Sequence, residues 1–168
     1  MRFIGTIALA HALSLAGAAA AAEGPRAIGR HGAWVVFAND GEGGGACFAA
    51  TQPKSSEPAV AEREPAFVYV SAWPKEGVRT QLSIRSGYRF RAGSVVTVTI
   101  GPSNFALFTT GDRAWVSDPT AELKLIDAMK KGPSMRVQGV SDQGTTVRDV
   151  YELGGLTQSL AAIVKGCG

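Results

Sequence analysis

The chain has few of the residues that catalytic and metal sites require. It contains 2 cysteines and 2 histidines in 168 residues, and His11 lies in the N-terminal apolar segment. Structural zinc sites are almost always four-coordinate, and a serine hydrolase needs a histidine base beside its nucleophile. His31 and two cysteines supply neither set. The sequence therefore predicts no catalytic residues, no metal site and no cofactor, and it favours a protein that is not an enzyme.

Excess charge of one sign and long apolar runs are also scarce. The 17 Lys and Arg residues nearly balance the 14 Asp and Glu residues, for a net charge of +3. Nucleic-acid-binding proteins usually carry a dense basic stripe, so we predict no nucleic-acid partner. Outside the first residues, no apolar run approaches the roughly 20 residues of a membrane span. We therefore predict no transmembrane anchor in the mature chain.

The N-terminus has the three parts of a secretory signal peptide. Arg2 supplies the positive start, residues 3–16 are apolar and uncharged, and Ala20 and Ala22 fit the small residues before a cleavage site. We predict a signal peptide over residues 1–22 and a mature chain in the periplasm or outside the cell. An uncleaved N-terminal anchor is the alternative.

Export bears on the two cysteines, Cys47 and Cys167. Exported proteins enter an oxidising compartment, where an even number of cysteines favours disulfide formation. We predict one disulfide between Cys47 and Cys167, joining the early strands to the end of the chain. A pair of free thiols is the alternative.

The rest of the chain predicts one domain over residues 33–168, after a flexible lead-in at 23–32. Eight or nine short β-branched or alternating runs predict strands, among them residues 34–38 and 95–100. The glycine-rich stretch 39–45 and the proline-containing stretch 52–65 predict loops. We expect a mainly β fold, an antiparallel β-sandwich or open barrel with two short α-helices, one at the C-terminus.

The helices are predicted from local signals. Asp118 followed by Pro119 fits the cap and first position of a helix, and Gly132 followed by a proline fits its end. Leu156, Leu160 and Ile163 form one apolar face of the C-terminal helix.

A basic and aromatic segment is the candidate binding patch. It comprises Arg79, Arg85, Tyr88, Arg89 and Arg91. Arginine suits bidentate contacts with anions and stacking on aromatic rings, so the patch could contact an anionic envelope component. The alternative is a solvated strand end with the tyrosine and the neighbouring Phe90 packed inward. Trp34, Trp73 and Trp115 are expected to pack in the core or at its edges.

Three segments resemble the invasion-associated locus B family. They are residues 87–100 (GYRFRAGSVVTVTI), residues 125–132 (LIDAMKKG) and residues 151–160 (YELGGLTQSL). Trp34 and Cys47 fit the opening of the family, and Ile163 and Cys167 fit its ending. The resemblance implies an exported alphaproteobacterial protein with a β-rich fold. Many members carry another cysteine pair after the central strands, which residues 108–115 lack, so this chain resembles a short, divergent member.

These observations together predict an accessory protein of the periplasm or cell envelope. We expect a non-enzymatic module that binds an envelope or host macromolecule, with a link to envelope integrity or host interaction. A periplasmic small-molecule-binding protein is the alternative, followed by an unrecognised hydrolase.

Overall fold

The computed structural model describes residues 24–39, 45–59, 63–73 and 76–167, without the side chains of Arg79 and Cys167. These residues form eleven strands and two helices. In chain order the elements are β1 (Arg26–His31), β2 (Trp34–Asn39), β3 (Ala46–Thr51), β4 (Ser55–Glu57), β5 (Phe67–Trp73), β6 (Val78–Arg85), β7 (Val95–Ile100), β8 (Ser103–Thr110), β9 (Arg113–Trp115), α1 (Pro119–Lys131), β10 (Ser134–Val140), β11 (Thr146–Glu152) and α2 (Leu156–Cys167).

All the strands belong to one antiparallel sheet. Its order is β1-β2-β3-β5-β6-β9-β8-β7-β10-β11-β4. Burial alternates along β2, β5 and β10, because successive side chains of a strand point to opposite faces of the sheet. The buried side chains form one core on the inner face. The predicted mainly β, antiparallel fold with two helices, one at the C-terminus, is confirmed, and it takes the form of a single open sheet.

The sheet is rolled, so that strands distant in its order approach each other. The Trp34 indole Nε1–H at the start of β2 donates to the Glu152 carbonyl oxygen in β11 at 3.2 Å. Arg63, just before β5, reaches the Asp149 carboxylate in β11. Both contacts require the sheet to curl around the core on its inner face.

Both helices pack on the inner face. Leu125, Ile126 and Met129 of α1 and Leu156 and Ile163 of α2 belong to the same core as the inward side chains of the strands. The core therefore lies between the rolled sheet and the two helices.

Local chemistry sets the ends of α1 as predicted. The Ala121 N–H donates to Asp118 Oδ1 at 2.7 Å, and Pro119 is the first helical residue. At the other end, the Gly132 N–H donates to the Ala128 carbonyl oxygen at 2.9 Å.

One side chain of α1 completes the sheet. β9 pairs with β6 only from Ser83 to Arg85. The next backbone donor, the Leu82 N–H, instead donates to Glu122 Oε1 at 2.7 Å. Because a buried backbone donor needs a partner, this contact fixes α1 beside β6 at the point where β9 has ended.

Two predicted irregular segments contain strands. The flexible lead-in predicted at residues 23–32 is wrong over Arg26–His31, which pair with β2 as an edge strand with an irregularity between Ala27 and Gly29. The predicted loop at 52–65 contains Ser55–Glu57, which pair with β11. Neither segment has the alternating pattern of a half-buried strand, and each lies at an edge of the sheet.

Some predictions fall outside the described residues. The signal peptide at residues 1–22 and residues 40–44 of the predicted glycine-rich loop are among them. In the part of the chain that is described, neither helix has the length and apolarity needed to cross a membrane.

Candidate functional site

The predicted basic patch is divided among different environments. Arg85 is half-buried, and its Nε–H donates to Asp112 Oδ2 at 3.0 Å. Arg89 and Arg91 are exposed in the connection from β6 to β7, whereas Tyr88 is half-buried. The side chain of Arg79 is not among those described. The binding role of this patch stays a prediction.

A buried ion pair lies directly behind Tyr88. The Arg63 guanidinium donates from Nη1 to Asp149 Oδ1 at 2.8 Å and from Nη2 to Oδ2 at 2.6 Å. The two side chains are only 9% and 4% exposed. Further donations run from Nε to the Ser86 carbonyl oxygen at 2.6 Å and from Nη1 to Ser56 Oγ at 3.1 Å. One guanidinium therefore joins segments before β5, in β4, after β6 and in β11.

Two tyrosines surround this pair. The Arg63 guanidinium carbon lies 5.2 Å from the centre of the Tyr88 ring. Burial raises the pKa of Tyr88 to about 12; the Asp149 charge acts in the same direction and the Arg63 charge opposes it. Burial also raises the pKa of Tyr151. Burial lowers the pKa of Arg63, but hydrogen bonding and charge from Asp149 outweigh it and hold that pKa above its ordinary value. The Arg63 guanidinium therefore stays charged and both phenols stay protonated at neutral pH.

The outward face of the sheet carries a group of aromatic side chains, here called the aromatic face. Its members are Phe37, Phe48, Phe67, Tyr69, Phe108 and Trp115. Ring centres are 5.0 Å apart for Phe37 and Phe48, and 6.0 Å apart for Phe48 and Tyr69. Phe108 and Trp115 stack at 5.7 Å.

The strand register aligns three of these rings, Tyr69, Trp115 and Phe108, along one cross-strand line that Ser83 interrupts. Tyr69 in β5 lies opposite Ser83 in β6, which lies opposite Trp115 in β9. Trp115 in turn lies opposite Phe108 in β8. Directly opposed side chains in an antiparallel pair lie close enough to interact. The aromatic face therefore extends across neighbouring strands of the sheet.

No described helix covers the aromatic face, since both helices pack into the core on the opposite side. Phe108 is 48% exposed, and Val95, its register partner in β7, is 54% exposed. The solvated face of an antiparallel sheet is usually polar, and contiguous exposed apolar patches often mark interaction sites.

The charged residues at the outward positions of the aromatic face are arginines, one of which, Arg85, pairs with Asp112 and Glu64. The Arg113 guanidinium carbon lies 5.9 Å from the centre of the Tyr69 ring, and Arg85 and Arg136 occupy further outward positions. From β2 to β10 in sheet order, the outward positions of the described strands carry no Asp or Glu. The face combines aromatic and arginine side chains, which are enriched at the energetic centres of protein interfaces.

The three tryptophans lie in different environments. Trp34 is fully buried in the core. Trp73 and Trp115 are half-buried at outward positions, and Trp115 packs against Phe108. The sequence does contain a signal for an outward aromatic group, because Phe67, Tyr69 and Trp73 are aromatic at the outward positions of β5.

Arg63 is a residue that the sequence analysis missed. It lies in the proline-containing stretch predicted as a loop, where no periodicity or motif identifies a buried arginine. Among the described residues, no three His, Cys, Asp or Glu side chains are grouped so that they could hold a metal ion.

Comparison with known proteins supports the fold. The model of the invasion associated locus B (IalB) protein family matches residues 34–164. The crystal structure of invasion associated protein B from Bartonella henselae is similar, with a TM-score of 0.57 over 82% of this chain and 95% of that chain. Its sequence identity is 10%, so this likeness concerns the fold. No curated protein matches the chain in sequence.

Proposed function

The chain belongs to the invasion associated locus B protein family, and from this premise we propose that it is an exported accessory protein of the bacterial envelope. In this proposal it works in the periplasm or outside the cell and binds an envelope or host macromolecule without catalysing a reaction. The uncovered aromatic face is the observation that carries the proposal.

The composition of the aromatic face supports a binding role. Phe108 and Val95 are each about half exposed, and a partner that removes them from water gains roughly 25 cal/mol for each Å² of apolar surface buried. The rings are already ordered by stacking at 5.0 and 5.7 Å. Ordered side chains lose less conformational freedom on binding, which favours affinity.

The charges of the aromatic face favour a partner with an acidic surface. Arg113 lies against Tyr69, so its charge sits beside the rings where a bound partner would lie. Complementary charge raises association rates and discriminates against basic partners. The anionic partner expected from the predicted arginine patch has the same chemistry, and the two surfaces can be separated by mutation.

Cross-linking of the tagged protein, exported in its own bacterium, tests this proposal. We expect a specific partner to be captured by the native protein and lost with the double variant Phe108→Ser and Val95→Thr. Both substitutions are at half-exposed positions, and they remove apolar contact area from the aromatic face. Capture is expected to weaken as salt is raised, because charged surfaces are screened.

Two further variants make the result specific. The control pair Leu123→Ser and Val164→Thr makes similar changes at helical positions that are 60% and 70% exposed, and it should keep the partner. Circular dichroism verifies that each variant is folded. Loss of the partner only with Arg89→Ala and Arg91→Ala combined, which spare the Arg85 that both surfaces share, would place binding at the predicted patch instead. Failure of the native protein to capture any specific partner would refute the binding role.

Export and the disulfide are part of the same proposal. Cys47 is fully buried, and its Sγ lies 3.8 Å from the position that a Cβ would occupy on Gly166, the neighbour of Cys167. The described residues include no free cysteine. Both findings support a disulfide between Cys47 and Cys167, as expected for an exported chain.

The mass of the purified exported protein tests both points. We expect a chain that begins at Glu23, and an increase by the mass of two hydrogen atoms when it is reduced under denaturing conditions. The protein produced in a reducing cytoplasm is the control. A retained N-terminus would contradict cleavage, and a mass unchanged by reduction would contradict the disulfide.

A further inference from the structure

A concave surface lies apart from the aromatic face. It is an open cleft of about 820 Å³ between α1 and the turn that joins β7 to β8. Small-molecule sites in proteins commonly have volumes of about 300 to 1,000 Å³. Phe105, Pro102 and Pro133 supply apolar parts of its lining, and Lys124 and Lys131 supply polar parts.

A close approach of the helix end to the sheet shapes one end of the cleft. A Cβ on Gly132 would lie 2.6 Å from Ile100 Cγ2, and both residues line the cleft. Because the glycine has no side chain, the end of α1 can lie directly against the end of β7. The lysines of α1 are thereby held facing the turn from residue 101 to residue 104.

Positive charge exceeds negative charge in the cleft, which two lysines and one aspartate line. Lys124 and Lys131 are seven positions apart on α1, which is about two helical turns and places them on the same side. Both are exposed, and neither forms an ion pair within the described residues. The carboxylate that lines the cleft, Asp127, accepts from Lys130 Nζ at 3.3 Å.

The Asn104 side chain lies on the other face of the β7–β8 hairpin. Its Oδ1 accepts from the Thr99 hydroxyl at 2.7 Å, and both residues occupy outward positions of their strands. The cleft thus combines two ammonium groups and a partly apolar wall. A ligand that satisfies both has negative charge and an apolar ring face.

We propose that this cleft binds an acidic sugar of a few rings, which carries carboxylate or phosphate groups. Lys124 and Lys131 contact the anionic groups, and Phe105 contacts a ring face. This site is independent of the aromatic face, and its existence does not depend on the function proposed for that face.

Titration of the isotope-labelled exported protein, followed by amide NMR shifts, tests the proposal. The probes are digalacturonate for carboxylate, glucose 6-phosphate for phosphate and maltose as the neutral sugar. We expect at least one acidic probe to shift the amides of residues 101, 103 and 104 and of Lys131 and Gly132, whereas maltose does not. The responding probe identifies which acidic group the site prefers.

Matched lysine variants locate the binding. Lys124→Gln combined with Lys131→Gln should weaken the responding probe at least about tenfold, because two charge-assisted contacts are lost. Lys165→Gln changes an exposed lysine on α2 and should leave affinity unchanged. The proposal is overturned if no acidic probe binds at millimolar concentration, if maltose binds equally well, or if the double variant binds as tightly as the native protein.

Discussion

Replacing Asp149 with alanine is expected to lower the free energy of unfolding by about 3 to 5 kcal/mol, since it leaves a buried guanidinium without its counter-charge. Arg63 is 9% exposed and makes both of its charged contacts with Asp149, at 2.6 and 2.8 Å. Its remaining acceptors are the neutral oxygens of Ser56 and Ser86. Urea unfolding followed by circular dichroism measures the loss.

The control for this variant is Asp127→Ala, which breaks an exposed ion pair with Lys130 at 3.3 Å. Exposed pairs contribute about 0 to 1 kcal/mol, so the control should have little effect. The double variant Arg63→Met with Asp149→Leu should recover much of the lost stability, because it also removes the unpaired charge. An Asp149→Ala loss as small as that of Asp127→Ala would mean that the guanidinium remains solvated.

Gly87→Ala, close to Arg63, is expected to lower the free energy of unfolding by about 2 to 5 kcal/mol. Gly87 has φ of +75°, and a Cβ there would lie 1.9 Å from the Glu64 carbonyl oxygen. The left-handed conformation costs alanine about 1 to 2 kcal/mol. Separating the two segments also breaks the 3.0 Å bond from the Glu64 N–H to the Gly87 carbonyl oxygen, and an orphaned buried group costs about 1 to 3 kcal/mol.

Gly93→Ala is the matched control for this prediction. Gly93 has φ of +70°, nearly that of Gly87, but a Cβ there would have no heavy atom within 4 Å. It should therefore show only the conformational cost of about 1 to 2 kcal/mol. The difference between the two variants in urea unfolding measures the close contact of residues 64 and 87, and equal losses would show that this contact relaxes freely.

Elements with local signals are the ones that could be predicted from sequence. The Asp118 cap and Pro119 specify the start of α1 through contacts within one helical turn, and the β-branched run 95–100 specifies β7. The edge strands β1 and β4 were missed because they form through pairing with β2 and β11, respectively, and not through local sequence preference. Tertiary pairing of this kind overrides weak local preference.

The candidate surfaces depend on positions that the sequence does not specify. The apolar outward residues of β5 are visible in the sequence, but whether a helix covers them depends on the side of the sheet to which α1 and α2 pack. Likewise, Arg63 meets Asp149 only when the sheet rolls, and Lys124 and Lys131 line a cleft with the turn after β7 only when α1 crosses beside that turn. The predicted arginine patch falls within residues 79–91 of the sequence, but those of its members whose side chains are described lie in different environments.

The long-range contacts of the rolled sheet also determine when the chain can fold. Arg63 and Asp149 are 86 residues apart, and Trp34 and Glu152 are 118 residues apart. Contacts between such distant residues slow folding, because a large loop must close before they contribute. A chain that emerges with its N-terminus first cannot complete its core until β11 has also emerged. The segments that precede β11 therefore remain incompletely folded until most of the chain has been released, which is compatible with passage through a narrow export channel.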